Sequence, residues 1–300
     1  MTMKRTVKTQ KVIDLKSRQN AQTSGKSING KSAMDQSTRI ITITSGKGGV
    51  GKTNIVANLG YALCRFGQRV LILDADLGLG NLDVLLGLTP EYNLSHVIKG
   101  EKKLSEVIVS GPGGLKILPA ASGIQEMTAL TQEERYLVFS QLGDFIRDFD
   151  IMLIDTAAGI SSNVLYFNIN ADQILVVATP EPTSITDAYA LMKVLSVKYG
   201  SDHFKMVVNA AANEHEADDV YRQINLVADR FLNVDIDYLG GIMVDDHVKK
   251  GVRQQKVVCE MAPMSKVSRN FMTLARKIMG SQVPEGQRRS SQWGFIDLPG

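Results

Sequence analysis

The sequence predicts an α/β protein built on a doubly wound, mostly parallel sheet with helices on both faces, and three observations carry that reading. Short, almost wholly apolar runs recur along the chain, and helical stretches separate them. Near-continuous apolar strands are what a parallel sheet covered on both faces requires, whereas a half-exposed antiparallel sheet would alternate. The first run also passes directly into a glycine-rich loop and then a helix, which places the loop at the carboxyl edge of the sheet.

The elements follow in order. Residues 40–44 (IITIT) read as the first buried strand, and a helix covers about residues 53–66. Strands are predicted at 69–74 (RVLILD), 114–119 (GLKILP), 150–155 (DIMLID), 173–179 (QILVVAT) and 204–209 (FKMVVN). Helices are predicted at 131–149, 184–199 and 217–231. The right-handed crossover rule winds these into a sandwich. Near the end, Val267, Phe271, Leu274 and Ile278 form a helical stripe, read as the last core helix rather than a membrane anchor. One domain is expected over residues 38–280, between a basic, disordered arm (1–37) and a polar tail (281–300).

Composition excludes several classes. With 44% hydrophobic and 22% charged residues in 300, the chain is an ordinary globular protein. Its net charge of +3 is too small to argue for nucleic acid, and the basic residues visible in the sequence gather in the arm. Cys64 and Cys259 stand alone, so neither an iron–sulfur cluster nor a structural zinc is supported, and a reduced, cytoplasmic setting fits. His96, His203, His215 and His247 form no metal-ligand spacing. No apolar stretch approaches the roughly 18 residues of a membrane span, so any membrane contact is peripheral.

The run Gly46, Lys47, Gly48, Gly49, Val50, Gly51, Lys52, Thr53 satisfies G-x-x-x-x-G-K-[ST] in its confirming strand–helix context. Glycines let successive backbone N–H groups turn inward onto phosphate oxygens, and the helix N-terminus adds partial positive charge. Lys52 is expected on the β- and γ-phosphates, and Thr53 on Mg²⁺. With Asn54 these residues make the expected ATP cradle. Asp74 and Asp76 close the second strand and Asp155 closes the apolar strand at 150–155. Acids at carboxyl strand ends beside a phosphate loop can hold Mg²⁺ or orient an attacking water. Asp83 reads as a local cap.

The variant K-G-G-V-G-K-T, the DAD at 74–76 and LIDTAAG at 153–159 resemble the deviant Walker A class of MinD and ParA. The segments DADLGLGNLDVLLGLTPEYNLSHVI (74–98), GPGGLKILPAASG (111–123) and EPTSITDAYALMK (181–193) narrow the resemblance to the FlhG/FleN family of flagellar number and site regulators, over about residues 40–279. The resemblance implies an ATPase that works as an ATP-dependent homodimer. It implies that Lys47 crosses to the partner's phosphates, Asp76 positions the attacking water, Asp74 supports the metal and Asp155 holds a Mg²⁺-bound water. It implies that Asn209 reads adenine and that Glu181 contacts nucleotide across the dimer. Implied partners are the flagellar GTPase FlhF, the flagellar master transcription activator and switch-complex proteins, with peripheral contact at the inner membrane or cell pole left open. No direct nucleic acid partner is expected. The alternatives are a ParA-like DNA-partition ATPase and a MinD-like cell-division-site ATPase. A family GTPase-activating motif is present only as the fragment Asp35 to Arg39, which puts that activity in doubt.

Overall fold

The computed structural model describes residues 38–76, 80–119 and 141–281. The expected arm and nearly all of the tail, residues 77–79 of the acidic loop and most of the predicted 131–149 helix lie outside the described residues.

The strands are β1 (Arg39–Ser45), β2 (Val70–Ala75), β3 (Val109–Ser110), β4 (Lys116–Leu118), β5 (Ile151–Ala158), β6 (Gln173–Ala178), β7 (His203–Ala211) and β8 (Asp235–Met243). They form one sheet in the order β3-β4-β2-β5-β1-β6-β7-β8. Every pairing is parallel except β3 with β4. The helices are α1 (Lys52–Arg65), α2 (Leu82–Leu85), α3 (Leu94–Ile98), α4 (Leu104–Val107), α5 (described over residues 141–146), α6 (Ser162–Ile169), α7 (Pro182–Tyr199), α8 (Glu214–Phe231), α9 (Asp246–Arg253), α10 (Val258–Met261) and α11 (Lys266–Gly280).

Strand side chains alternate between two covered faces. Ile41, Ile43, Ile72 and Leu153 point to one face and pack with α1, α10 and α11. Ile40, Leu71, Met152 and Ile154 point to the other with α5 and α6, and Ile174, Val176 and Met206 continue it under α7 and α8. Both faces are therefore sealed, and this is why the central strands read as unbroken apolar runs. The stripe on α11 lies in this core, with Val267 and Ile278 fully buried and Phe271 and Leu274 nearly so.

Several elements depart from the expectation. The predicted strand at 114–119 begins only at Lys116, because Pro112, Gly113 and Gly114 take a 3-10 turn with Gly113 at φ 66°. Helix α6 is buried almost throughout, so no polar face announced it. Strand β8 was hidden by Asp235, Asp237 and the Gly240-Gly241 pair, where its pairing with β7 shifts register. Between β1 and α6 lies a fully buried polar triad. The Thr42 hydroxyl donates to Asn168 Oδ1 at 2.9 Å, and Asn168 Nδ2 donates to Thr44 Oγ1 at 3.2 Å and to the Val164 carbonyl at 2.7 Å.

Candidate nucleotide site

β1 lies between β5 and β6, and its carboxyl end meets those of β5, β2, β6 and β7. Chain connections leave β1 in opposite directions at such a point, which opens a crevice where ligands bind. The phosphate loop fills the mouth. Gly51 caps α1 in the left-handed region at φ 89° and supplies no side chain to the helix amides. The first turn of α1 carries no acid, so its N-terminal partial charge is left for a ligand anion. At Gly46 the backbone runs against α7: an added Cβ would sit 2.0 Å from the Asp187 carbonyl oxygen.

Beneath the loop, the buried Lys52 donates from Nζ to Ser45 Oγ at 2.9 Å, and Ser45 Oγ donates to the Lys47 carbonyl at 2.7 Å. Burial lowers the Lys52 ammonium below its ordinary range, against the opposing pull of Asp155 and Asp76. Asp155 stands beside Asp74 across the β5–β2 register and beside Ile43 across β5–β1. Thr53 hydrogen-bonds the Asp155 carboxylate, yet Asp155 Oδ1 is buried without a hydrogen-bond partner. Desolvation, reinforced by Asp74, pushes Asp155 up strongly. Asp74 is pushed up to about 6 by its own burial, although the amides of Leu82 and Asp76 donate to it.

Two buried neighbouring carboxylates, an orphaned oxygen and a threonine hydroxyl form a hard, anionic oxygen set. Such a set suits a divalent cation better than it suits the bare protein. Asp76 follows the strand end with its amide on Asp74, and the loop beyond it leaves the described residues.

Beside the loop, a cleft of about 590 Å³ is lined by Val50, Thr179, Glu181, Asn209, Glu216 and Val244, among others. Asn209, at the end of β7, donates from Nδ2 to the Val50 carbonyl at 2.7 Å, so its amide is tied to the phosphate loop while facing the cleft. Ala210 behind it adopts φ 55°, a left-handed conformation uncommon for a non-glycine residue, at the point where the β7–β8 register shifts. Met264 is exposed at the start of the chain leading into α11.

Lys47 takes a different direction from Lys52. Its Nζ pairs with the Glu181 carboxylate and donates to Thr183 Oγ1 at 2.8 Å, both at the start of α7. All the sequence-predicted site residues thus converge on one edge of the sheet. Ser45, Thr183 and the Asp187 backbone were missed: Ser45 precedes the motif by one position, and the other two meet the loop only through folding.

The AAA domain family model matches residues 38–203, more than half of the chain. The antiactivator FleN of Pseudomonas aeruginosa is 44% identical over 83% of this chain and 89% of its own. The chain belongs to the FleN/FlhG family of MinD/ParA-class ATPases. A second member, the flagellum site-determining protein YlxH of Helicobacter pylori, is 36% identical over 82% of this chain and 84% of its own. The fold matches the septum site-determining protein MinD of Pyrococcus horikoshii complexed with Mg-ADP, with a TM-score of 0.64 at 27% identity over 81% of this chain and 96% of that one. Cys64 and Cys259 are free, and burial pushes their thiols up to about 11 and about 12. Among the described residues no cluster of His, Cys, Asp or Glu forms a further metal site, and no helix is long and apolar enough to cross a membrane.

Proposed function

We propose that the chain is an ATP-binding, slowly hydrolysing dimerisation switch that regulates flagellar number or placement through partner proteins. The observation that carries the reading is the division of labour between two lysines of one loop. Lys52 is buried under the phosphate cradle, whereas Lys47 is turned outward onto Glu181 and Thr183 at the cleft rim. A cation that its own loop does not use is available to a second subunit's phosphates.

In this reading the backbone amides from Gly46 to Asn54 and Lys52 hold the phosphates. Thr53 would hold magnesium, Asp155 would hold a water bound to it, and Asp74 would support the metal. Bound there, magnesium neutralises charge on the β- and γ-phosphate oxygens. Asp76 orients the attacking water, and Asn209 reads the adenine edge while its amide braces Val50. Closure of two subunits brings Lys47 across, frees Glu181 for the facing nucleotide and excludes water. Hydrolysis then times a change of partner surface. FlhF, the flagellar master activator and switch-complex proteins are the partners this reading names, with the cytoplasm as the place of action and peripheral contact at the inner membrane or cell pole left open. The relatives FleN and YlxH support the flagellar assignment by name.

The test is size-exclusion chromatography with light scattering in ADP, in ATP, and in ATP with Asp76→Ala. A monomer in ADP and a lasting dimer of the variant in ATP are expected. A monomer in all three conditions would overturn the switch and leave an ordinary P-loop enzyme.

A further inference from the structure

The cleft beside the phosphate loop carries a carboxylate that neither the loop nor the metal acids use. Glu216, in the first turn of α8, lines this cleft together with Asn209. Its Oε2 accepts the Ala212 amide at 2.6 Å, and its own amide donates to the Asn213 cap at 3.0 Å. The residue is thus fixed at both ends, while Oε1 takes no hydrogen bond among the described residues. Asn209 is fixed in the same way. Its side chain faces the Val50 carbonyl, which only the nitrogen of an amide can do, so Oδ1 is the end left for a ligand. Nδ2 also sits against Gly51, where an added Cβ would come within 2.4 Å of it. Thr179 Oγ1, on the same cleft, is buried without a hydrogen-bond partner.

We propose that Glu216 selects adenine against 6-oxopurines, its Oε1 and Asn209 Oδ1 each accepting one hydrogen of the base's exocyclic amine. Glu216 does so only if the cleft holds the base, as the proposed function has it. A carboxylate oxygen and an amide oxygen both accept and cannot donate. Two acceptors ask for two donors, and the 6-amine of adenine carries two N–H bonds on one nitrogen. Guanine and hypoxanthine carry a carbonyl oxygen there, which brings a third acceptor against the pair and leaves all three unpaired. Guanine can instead offer N1–H and its 2-amine to one carboxylate, but that pairing needs both oxygens, and Oε2 is spent on Ala212. Thr179 supplies what the two acceptors lack, a hydroxyl able to donate to a ring nitrogen. Val50, Pro180 and Val244 add apolar lining that suits a flat ring. An acid in the first turn of a helix also favours the helix itself, whatever lies in the cleft. A residue with that role alone would be indifferent to the base.

The test uses the full chain with magnesium and measures displacement of a ribose-labelled fluorescent ATP by ATP, by inosine triphosphate and by GTP. Inosine triphosphate differs from ATP in its base alone, with a carbonyl at position 6 and a proton on N1. Wild type is compared with Glu216→Gln and with Glu214→Gln, which removes a charge from the same turn of α8 but not from the cleft lining. In Glu216→Gln the amide oxygen can keep the Ala212 contact, which turns the NH₂ toward the base; the melting temperature checks the fold. Wild type is expected to prefer ATP over inosine triphosphate by at least about a hundredfold. Glu216→Gln is expected to lose about tenfold in ATP affinity and to gain for inosine triphosphate, so that the preference falls at least about tenfold. Glu214→Gln should leave it unchanged. A preference that survives Glu216→Gln, with both nucleotides weakened alike or not at all, would overturn the assignment and leave Glu216 a helix cap. Equal shifts in the two variants would also overturn it, in favour of distant charge, as would a wild type that binds inosine triphosphate or GTP as well as ATP. In each of these cases ATP still binds and the nucleotide reading stands. A wild type that binds none of the three would sink that reading and the role of Glu216 together.

Discussion

Asp74 is nearly fully buried beside another buried carboxylate, and both are held above the usual carboxylate range chiefly by desolvation. A carboxyl group raised in the fold favours the folded state fully below its unfolded value near 4, and that contribution is lost as pH rises through about 6. Asp74→Asn, which cannot ionise, is therefore expected to gain stability relative to wild type between pH 4 and pH 8 in chelator. The gain reaches up to about 3 kcal/mol, less what the amide loses in hydrogen bonds to Leu82 and Asp76. Melting temperatures of both proteins at the two pH values check this, and a constant difference would refute it. Magnesium with ADP is expected to shrink the gap, since the charged form then has a partner. At the loop's other lysine, Lys47→Gln is expected to keep nucleotide affinity within about threefold while ATP turnover falls at least a hundredfold. Equilibrium binding of a fluorescent nucleotide beside a phosphate-release assay separates the two effects. Lys52→Gln, by contrast, is expected to abolish nucleotide binding in the same assay.

The elements show what the spacing of residues announces and what it leaves silent. Strand β1, the loop and α1 were legible because glycine, lysine and threonine at fixed offsets follow an apolar run, and each residue type has a backbone reason to be there. Asp155 was legible as the acid that ends an unbroken apolar run, although β5 itself continues past it to Ala158. Helix α6 and strand β8 were not, because one is buried all round and the other is broken by acids and paired glycines. Nor could spacing reveal the Thr42–Asn168–Thr44 triad, whose members lie 124 and 126 residues apart in the pairs they form. That triad locks α6 onto the strand that feeds the phosphate loop. Asn168→Leu strips partners from two buried hydroxyls, and about 1–3 kcal/mol of stability should go, read as a lower urea midpoint. A similar close fit governs Gly46, where a methyl group would strike the Asp187 carbonyl. Gly46→Ala is expected to cost activity as well as stability, because the loop must move away from α7 to accept it.

At the scale of the molecule, the sequence predicted a doubly wound sheet, and the eight strands follow it with one antiparallel edge. The distribution of charge was misjudged, and the reason is physical. A run of basic residues at a terminus is visible to the eye, while cations spaced along α9 and α11 look diluted by their apolar neighbours. Folding turns those neighbours inward and leaves the cations together outside.

The central place of β1 also governs how the protein comes into being. Both of its neighbours, β5 and β6, lie more than a hundred residues further along the chain, and Asn209 comes later still. As the polypeptide leaves the ribosome, its phosphate loop emerges early, on a strand that has no partner until β5 has been made and keeps one edge bare until residue 178 has followed. Nucleotide cannot steady this strand until synthesis is mostly complete. The nascent chain therefore passes through a long interval with an apolar strand bare, and a sheet assembled from such distant pairings forms slowly. Chaperones that shield extended apolar segments would find their substrate here, in the unfinished chain.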